Sequence, residues 1–405
     1  MMKILVLHPD LGIGGAERLV VDAALAMKSL SHEIHIVTTH HDQNHCFEET
    51  RNGTLKVTVV ADWMPRSIFN KCYALCAYFR MIIAAIYVVF FSKLEFDLIF
   101  CDQISACIPF IRISKKKIVF YCHFPDQLLT DRKTFLKKLY RYPIDWFEEW
   151  TTGLADTIVV NSKFTAQVFR QTFTRLSHKD IKVIYPSLHF TTFDRKLEGD
   201  LNDLKLKDIA TVFLSINRYE RKKNIGLAIE ALKELYDDMI STNPNLKKTV
   251  HLIIVGGFDP LVQENRQYYD ELHDKAMKLG IEDKISFLKS PSDDKKQLLL
   301  HSCTAVLYTP DNEHFGIVPL EAMYMNRPVI AINSGGPRET VIDNETGFLC
   351  KPEPKDFAKA MKKFVDDRSL AREMGIAGHE HVVKSFSYDK FVQQFKNLIN
   401  ELHIQ

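Results

Sequence analysis

Two glutamates eight positions apart, Glu313 and Glu321 in "NEHFGIVPLEAM", have the type and spacing to do chemistry. On one continuous helix they would sit about 12 Å apart along the axis and on nearly the same face. The residues between them argue against that. Gly316 is a poor helix-interior residue, whereas Pro319 suits a first helical turn, where its missing N–H is not needed. The spacing therefore predicts a loop through Glu313, a helix beginning near Gly316, and Glu321 about one turn inside it. Such a helix start offers free N–H groups and a positive dipole end to an anion. A carboxylate at Glu321 could accept hydrogen bonds from a ribose diol, and Glu313 would lie beyond the phosphates, at a sugar. Singly, each also reads as an ordinary surface acid.

Two other stretches point at the same kind of ligand. "SINRYERKKN" follows an apolar run, so Arg218 and Lys223 fall just past the carboxyl end of a strand, where open α/β sheets bind ligands. Arg supplies a fixed fork of donors and Lys a movable point charge, a pair suited to a diphosphate without a metal. A solvated basic turn is the competing reading, since Arg221 and Lys222 are charged too. Near the start, "HPDLGIGGAERLV" places Gly12, Gly14 and Gly15 in a loop that opens a helix, with backbone N–H groups able to approach an anion. It is not a dinucleotide fingerprint, because G-x-G-x-x-G begun at Gly12 needs glycine where Glu17 stands. A tight turn without a ligand remains open there. His123, in "FYCHFPD", ends a further strand and reads alone as a structural histidine. "NSGGP", Asn333 to Pro337, is either a ligand-facing loop or a plain turn.

The elements that must position these residues alternate from end to end. Short β-branched runs ("KILVLH", "EIHIVTTH", "KVTVV", "DLIFCD", "KIVFYCH", "TIVVNS") are separated by helical patterns, which predicts a parallel sheet covered on both faces. The rhythm lapses in the polar stretch that ends near residue 208 and resumes with "TVFLSIN", "HLIIVGG", "KISFLK", "TAVLYTP" and "PVIAIN". The expected organisation is an α/β chain of two doubly wound, Rossmann-like domains facing across a cleft. The first would span residues 1–187, a linker 188–208 and the second domain 209–387, with a last helix at about 388–405 packing back on the first.

With 405 residues and 46% hydrophobic content, the chain can bury full cores. Its 53 basic and 51 acidic residues leave a net charge of +2, so no global field points to nucleic acid. The eight cysteines are scattered with no C-x-x-C pair, as expected of reduced core thiols in a cytosolic compartment. "MMKILVLHPD" is too short an apolar run for a cleavable signal. Cys72 to Phe91 is different: twenty residues with one charge, Arg80, long enough to span a bilayer. Lying between two strands whose loops share one side, it reads better as a helix buried on one face and dipping into an interface on the other, or as a wholly buried helix. Residues 112–141 hold nine basic residues, among them Lys137, Lys138 and Arg141, against Asp126 and Asp131. Interleaved with Phe135, Leu136, Leu139 and Tyr140, they suggest a basic amphipathic surface for anionic lipid or an acceptor diphosphate, or a solvated helix face.

"GGAER", "RYERKKN" and, about ninety residues on, "EHFGIVPLE" together resemble the retaining glycosyltransferases of the GT-B fold, whose hallmark is two glutamates separated by seven residues. "FYCHFPD", "LYRYPIDW", "LYTPDNEHFGIVPLEAMYM" and "NSGGP" extend the resemblance through most of the chain. It is nearest to the bifunctional α-1,3/1,6-mannosyltransferases of dolichol-linked oligosaccharide assembly. The resemblance implies a GDP-mannose donor, retention of configuration and no obligatory metal or other cofactor. It implies a dolichol-diphosphate-linked Man1GlcNAc2 acceptor at the cytosolic face of the endoplasmic reticulum membrane, and leaves room for a complex with other mannosyltransferases of the pathway. By resemblance Arg218 and Lys223 hold the donor diphosphate, Glu321 the ribose and Glu313 the mannose hydroxyls, with Gly14, Gly15 and Gly316 lining the donor and His123 approaching its sugar. Another retaining transferase with a different nucleotide sugar or acceptor, or a non-catalytic scaffold on this fold, would carry many of the same residues.

Overall fold

A computed structural model of the chain describes residues 1–68, 72–130, 135–204, 206, 209–242 and 250–404. By its contacts the chain forms two compact units, Met1–Ser187 with Tyr388–Gln405, and Leu188–Ser387.

The first unit is built on a seven-stranded sheet of β1 (Lys3–His8), β2 (Glu33–Thr38), β3 (Lys56–Val59), β4 (Leu98–Asp102), β5 (Lys117–Cys122), β6 (Thr157–Val160) and β7 (Ile181–Val183). The strands are parallel in the order β3-β2-β1-β4-β5-β6-β7, so the chain reverses its direction of growth between β1 and β4. Successive side chains alternate across the sheet. Ile4, Val6, Phe100 and Tyr121 face the helices Gly15–Ser29 and Tyr388–Ile404. Leu5, Leu7, Ile99 and Phe120 face the segment Tyr73–Phe91. Burial on both faces is why the strands read as continuous apolar runs. The last helix contributes Phe391, Phe395, Leu398, Ile399 and Leu402 to this core, each buried side chain worth about 1.5–3 kcal/mol.

The second unit holds six parallel strands, β8 (Thr211–Ile216), β9 (Val250–Gly256), β10 (Ile285–Lys289), β11 (Ala305–Tyr308), β12 (Val329–Ile332) and β13 (Gly347–Cys350), in the order β10-β9-β8-β11-β12-β13. Its reversal lies between β8 and β11. Leu252, Ile254, Leu307 and Ile330 pack under the helices Gly226–Thr242 and Pro354–Asp366. β7 and β13, which are "IKV" and "GFLC", are too short to have stood out in the sequence.

Several segments differ from the sequence expectation. The described part of the expected linker, residues 188–204, lies along the second unit instead of standing free: Phe190 stacks on Tyr324 at 4.3 Å between ring centroids, and Lys295 pairs with Asp203 at 2.7 Å. Arg141 does not belong to a basic surface. It is buried, with its guanidinium 2.9 Å from both Asp126 and Asp145, because a charge beneath a helix needs carboxylate partners. Asp131, Arg132 and Lys133 lie outside the described residues. What the helix Phe135–Gly153 does expose is an apolar stripe, Phe135, Leu139, Tyr142, Trp146 and Trp150, within an arc of roughly 80°. The segment Tyr73–Phe91 is long and apolar enough to cross a membrane. One face of it is core, its single charge Arg80 is buried against the Thr39 carbonyl, and the other face exposes Tyr73, Phe79, Phe90 and Phe91. All eight cysteines are free thiols, six of them buried.

Candidate active site

In the second unit, the turn after β8 is fixed from beneath before it presents any charge. Tyr219 is fully buried, and its hydroxyl donates to the carbonyls of Ile254 and Leu288 at 3.3 and 3.0 Å. Asn265 donates to the Tyr219 carbonyl at 3.0 Å, and the Tyr219 N–H donates to the Gly257 carbonyl at 3.1 Å. Gly256 is required at that crossing, because a Cβ would run into the backbone of Asn217. The basic residues then separate by environment. Arg218 and Lys222 are exposed, each 3.1 Å from Glu220. Lys223 turns inward: its carbonyl accepts from Thr309 Oγ1 at 2.8 Å, and its ammonium pairs with the Glu313 carboxylate.

Glu313 therefore stands beside Lys223, ninety positions away in the chain and across the β8/β11 reversal. Burial alone would push this carboxyl up, but the adjacent Lys223 ammonium outweighs burial and holds it below the ordinary carboxylate range. The helix starts where the sequence puts it. Gly316 is the N-cap at φ +84° and Ile317–Tyr324 is helical, with Pro319 in the first turn. A side chain at Gly316 would be strained by that φ and would meet the Tyr308 ring at 3.2 Å. Glu321, one turn in, is paired with Lys296, whose Nζ lies 2.6 Å from the buried Oε2. Tyr308 is buried beside Glu313 and within the field of Glu321; burial first, and then the two carboxylates, push the phenol well above its usual range. The "NSGGP" loop braces this arrangement. The Gly336 N–H donates to the Glu313 carbonyl at 2.7 Å, and Gly335 and Gly336 approach the Glu313 and Phe315 backbones too closely for a Cβ. The Gly336 N–H is thus committed to the protein.

In the first unit, Gly14 caps the helix Gly15–Ser29 in an extended conformation, with no side-chain cap and with Glu17 in the first turn. The Glu17 carboxylate lies close beside Gly14, where a Cβ would meet it, while the space around Gly15 is open. His123 follows β5. Its Nε2 lies 3.2 Å from Asp102 Oδ2, which also takes a 2.8 Å hydrogen bond from His8 Nδ1.

Comparison with known proteins decides the family. Residues 200–381 match the model of "Glycosyl transferases group 1", and residues 13–189 that of "Glycosyltransferase Family 4". The human "Alpha-1,3/1,6-mannosyltransferase ALG2" is 52% identical over 404 residues, covering 99% of this chain and 96% of its own. The Dictyostelium discoideum protein of the same name is 45% identical, covering 99% and 98%. The chain belongs to the ALG2 family. It is a glycosyltransferase, an enzyme with the GT-B fold. Sucrose-phosphate synthase from Thermosynechococcus elongatus shares that fold at a TM-score of 0.78 with 18% identity over all of both chains. WaaG, a glycosyltransferase involved in lipopolysaccharide biosynthesis, does so at 0.70 with 14% identity, over 97% of this chain and 98% of its own.

Within this family member the structure joins Lys223 to Glu313, and gives Arg218 to Glu220 and Glu321 to Lys296. Sequence reasoning missed Tyr308, Lys296, His8 and Asp102. Tyr308 and Asp102 each close an apolar strand, and a polar atom at a strand's carboxyl end is the signal that could have found them.

Proposed function

We propose that the chain transfers mannose from GDP-mannose, with retention, to dolichol-diphosphate-linked Man1GlcNAc2, adding an α-1,3 and then an α-1,6 mannose at the cytosolic face of the endoplasmic reticulum. The observation that carries this reading is the Lys223–Glu313 pair at the reversal point of the second sheet, in a chain 52% identical to an enzyme named for those two linkages. Without ligand the two charges neutralise each other. An arriving diphosphate gives Lys223 a second anion, and Glu313 is released to accept from the sugar hydroxyls. Breaking the sugar–phosphate bond builds negative charge on the leaving phosphate, and fixed donors there favour the transition state over the ground state. Lys223, Arg218 and the helix end at Gly316 supply them, so transfer proceeds in a chelating buffer. Retention follows if the acceptor attacks from the leaving-group face, with the phosphate taking its proton. Glu321 accepts from the ribose diol.

Two exposed apolar faces support a membrane-seated acceptor unit. They are the stripe from Phe135 to Trp150 and the outer face of Tyr73–Phe91. Tyr and Trp favour the headgroup region, and Lys137 and Lys138 on the same helix suit anionic lipid. The test of the proposed reaction supplies the purified chain with a synthetic lipid-diphosphate Man1GlcNAc2 and a panel of GDP- and UDP-sugars. Two mannoses are expected from GDP-mannose alone, one α-1,3 and one α-1,6. Turnover with a UDP-sugar, or inverted linkages, contradicts the proposal.

A further inference from the structure

Three residues sit side by side at the carboxyl ends of the three central strands of the first sheet: His8 closes β1, Asp102 closes β4 and His123 follows β5. Asp102 is fully buried between the two imidazoles, with Oδ2 2.8 Å from His8 Nδ1 and 3.2 Å from His123 Nε2. Its other oxygen, Oδ1, is 2.9 Å from the same His123 nitrogen but off the hydrogen-bonding direction. Burial would raise this carboxyl, but the imidazoles of His123 and His8 together hold it below its ordinary range. It is therefore an acceptor only, and both ring nitrogens facing it carry hydrogen.

His8 is wholly buried, and its Nε2 has no hydrogen-bond partner. It has no surface through which to meet a ligand; what it can do is hold Asp102 in place. His123 is the partly exposed member, its side chain 19% accessible. The Tyr121 ring lies edge-on to it at 4.9 Å, and its carbonyl accepts from Asn161 Nδ2 at 3.1 Å. Backbone, ring face and Nε2 are all pinned, so the ring has one orientation and one nitrogen, Nδ1, facing away from the carboxylate.

We infer that Asp102, braced by His8, is a positioning residue for transfer: it fixes His123 as the Nε2–H tautomer and presents the bare Nδ1 to a hydroxyl of the donor sugar. This rests on the reading of His123 as the residue that approaches that sugar. A bare Nδ1 accepts a hydrogen bond from a hydroxyl, and a rotated or tautomerically mixed ring would not do so consistently. Misorientation of a group at the reacting sugar reduces turnover by about 10- to 100-fold.

The experiment combines a spectrum with kinetics on the full chain. A long-range 1H–15N spectrum of the histidine-labelled protein should show His123 protonated at Nε2 and bare at Nδ1; a His123 protonated at Nδ1 alone overturns the inference even if every variant misfolds. Asp102→Asn should lower kcat for mannose transfer about 10- to 100-fold with little change in the KM for GDP-mannose, and should disturb the His123 pattern. Adding Asp102→Asn to His123→Ala should cost nothing further, because the carboxylate acts through that ring; an additive loss overturns the inference. If His123→Ala is impaired and Asp102→Asn is not, the inference alone fails. Full turnover in His123→Ala overturns the placement of His123 at the sugar, and the inference with it.

Discussion

The two sheets reverse at equivalent points, between β1 and β4 in one unit and between β8 and β11 in the other, and each reversal is bridged by a carboxylate. In the first unit the bridge is Asp102, fully buried between two imidazoles and closed to ligands except through one edge of His123. In the second it is Glu313, paired with a lysine, with both side chains partly accessible at 20% and 14%. The same topology therefore yields two kinds of site. A carboxylate held by neutral-capable rings stiffens a strand end, whereas one held by a flexible ammonium can exchange its partner for an incoming anion. The second reversal holds an exchangeable ion pair, and the first holds a ring rigid.

The largest expected effect breaks the exchangeable pair. Lys223→Ala should lower mannose transfer by about 100-fold or more, measured in single turnover, because it removes a fixed cation from the leaving phosphate. The chain should remain folded by circular dichroism. If turnover survives, the second reversal is only a structural ion pair and the contrast between the two sites disappears.

A second expectation concerns two acids of opposite behaviour. Glu148, in the helix Phe135–Gly153, accepts from the N–H groups of Asp126 and Gln127 at 2.7 and 3.1 Å. Burial first, and then the Asp126 carboxylate, pushes it from 4.5 up to about 8. An acid raised by folding stabilises the protein in its protonated form, so this contribution is present at low pH and is lost as pH rises from about 4.5 to about 8. Glu313, lowered by Lys223, contributes stability above the usual carboxylate range that is lost as pH falls through its depressed value. Chemical unfolding between pH 5 and 8.5 should show a decline on the order of 2–4 kcal/mol that Glu148→Gln flattens. An unchanged slope in that variant would remove Glu148 as its cause.

The smallest effect is on the surface. Replacing Trp146 and Trp150 with Ser should weaken sedimentation with anionic vesicles several-fold while leaving GDP binding intact. The two rings stack at 6.1 Å on the exposed side of their helix, and an unchanged partition would move the membrane contact elsewhere.

The strands were legible because both faces of each sheet are buried, which writes them as unbroken apolar runs, and the helix start at Gly316 was legible because glycine and proline have few other uses there. The basic turn was legible only as a cluster. Its four positive charges look alike in sequence, and only the fold turns Lys223 inward while leaving Arg218 and Lys222 in solvent. Asp102 was not legible because its partners come from β1 and from beyond β5, and His8 lies ninety-four positions away. Arg141 was misleading for a related reason: its sequence neighbours are basic, but the carboxylates of Asp126 and Asp145 reach it from the preceding short helix and from one turn further along its own.

The proposed division gives the donor's sugar to Glu313 and its nucleotide to Glu321, with Lys223 passing from Glu313 to the diphosphate. The most direct measurement is GDP affinity by calorimetry beside single-turnover mannose transfer, for Glu313→Gln and Glu321→Gln. Glu321→Gln loses charge-assisted hydrogen bonds worth roughly 1.5–3 kcal/mol, so GDP binding should weaken by about tenfold or more. Glu313→Gln frees Lys223 from its competitor, so GDP should bind as tightly as before or more tightly while transfer collapses. Equal loss of GDP affinity in both variants, or undiminished affinity in Glu321→Gln, would contradict the division.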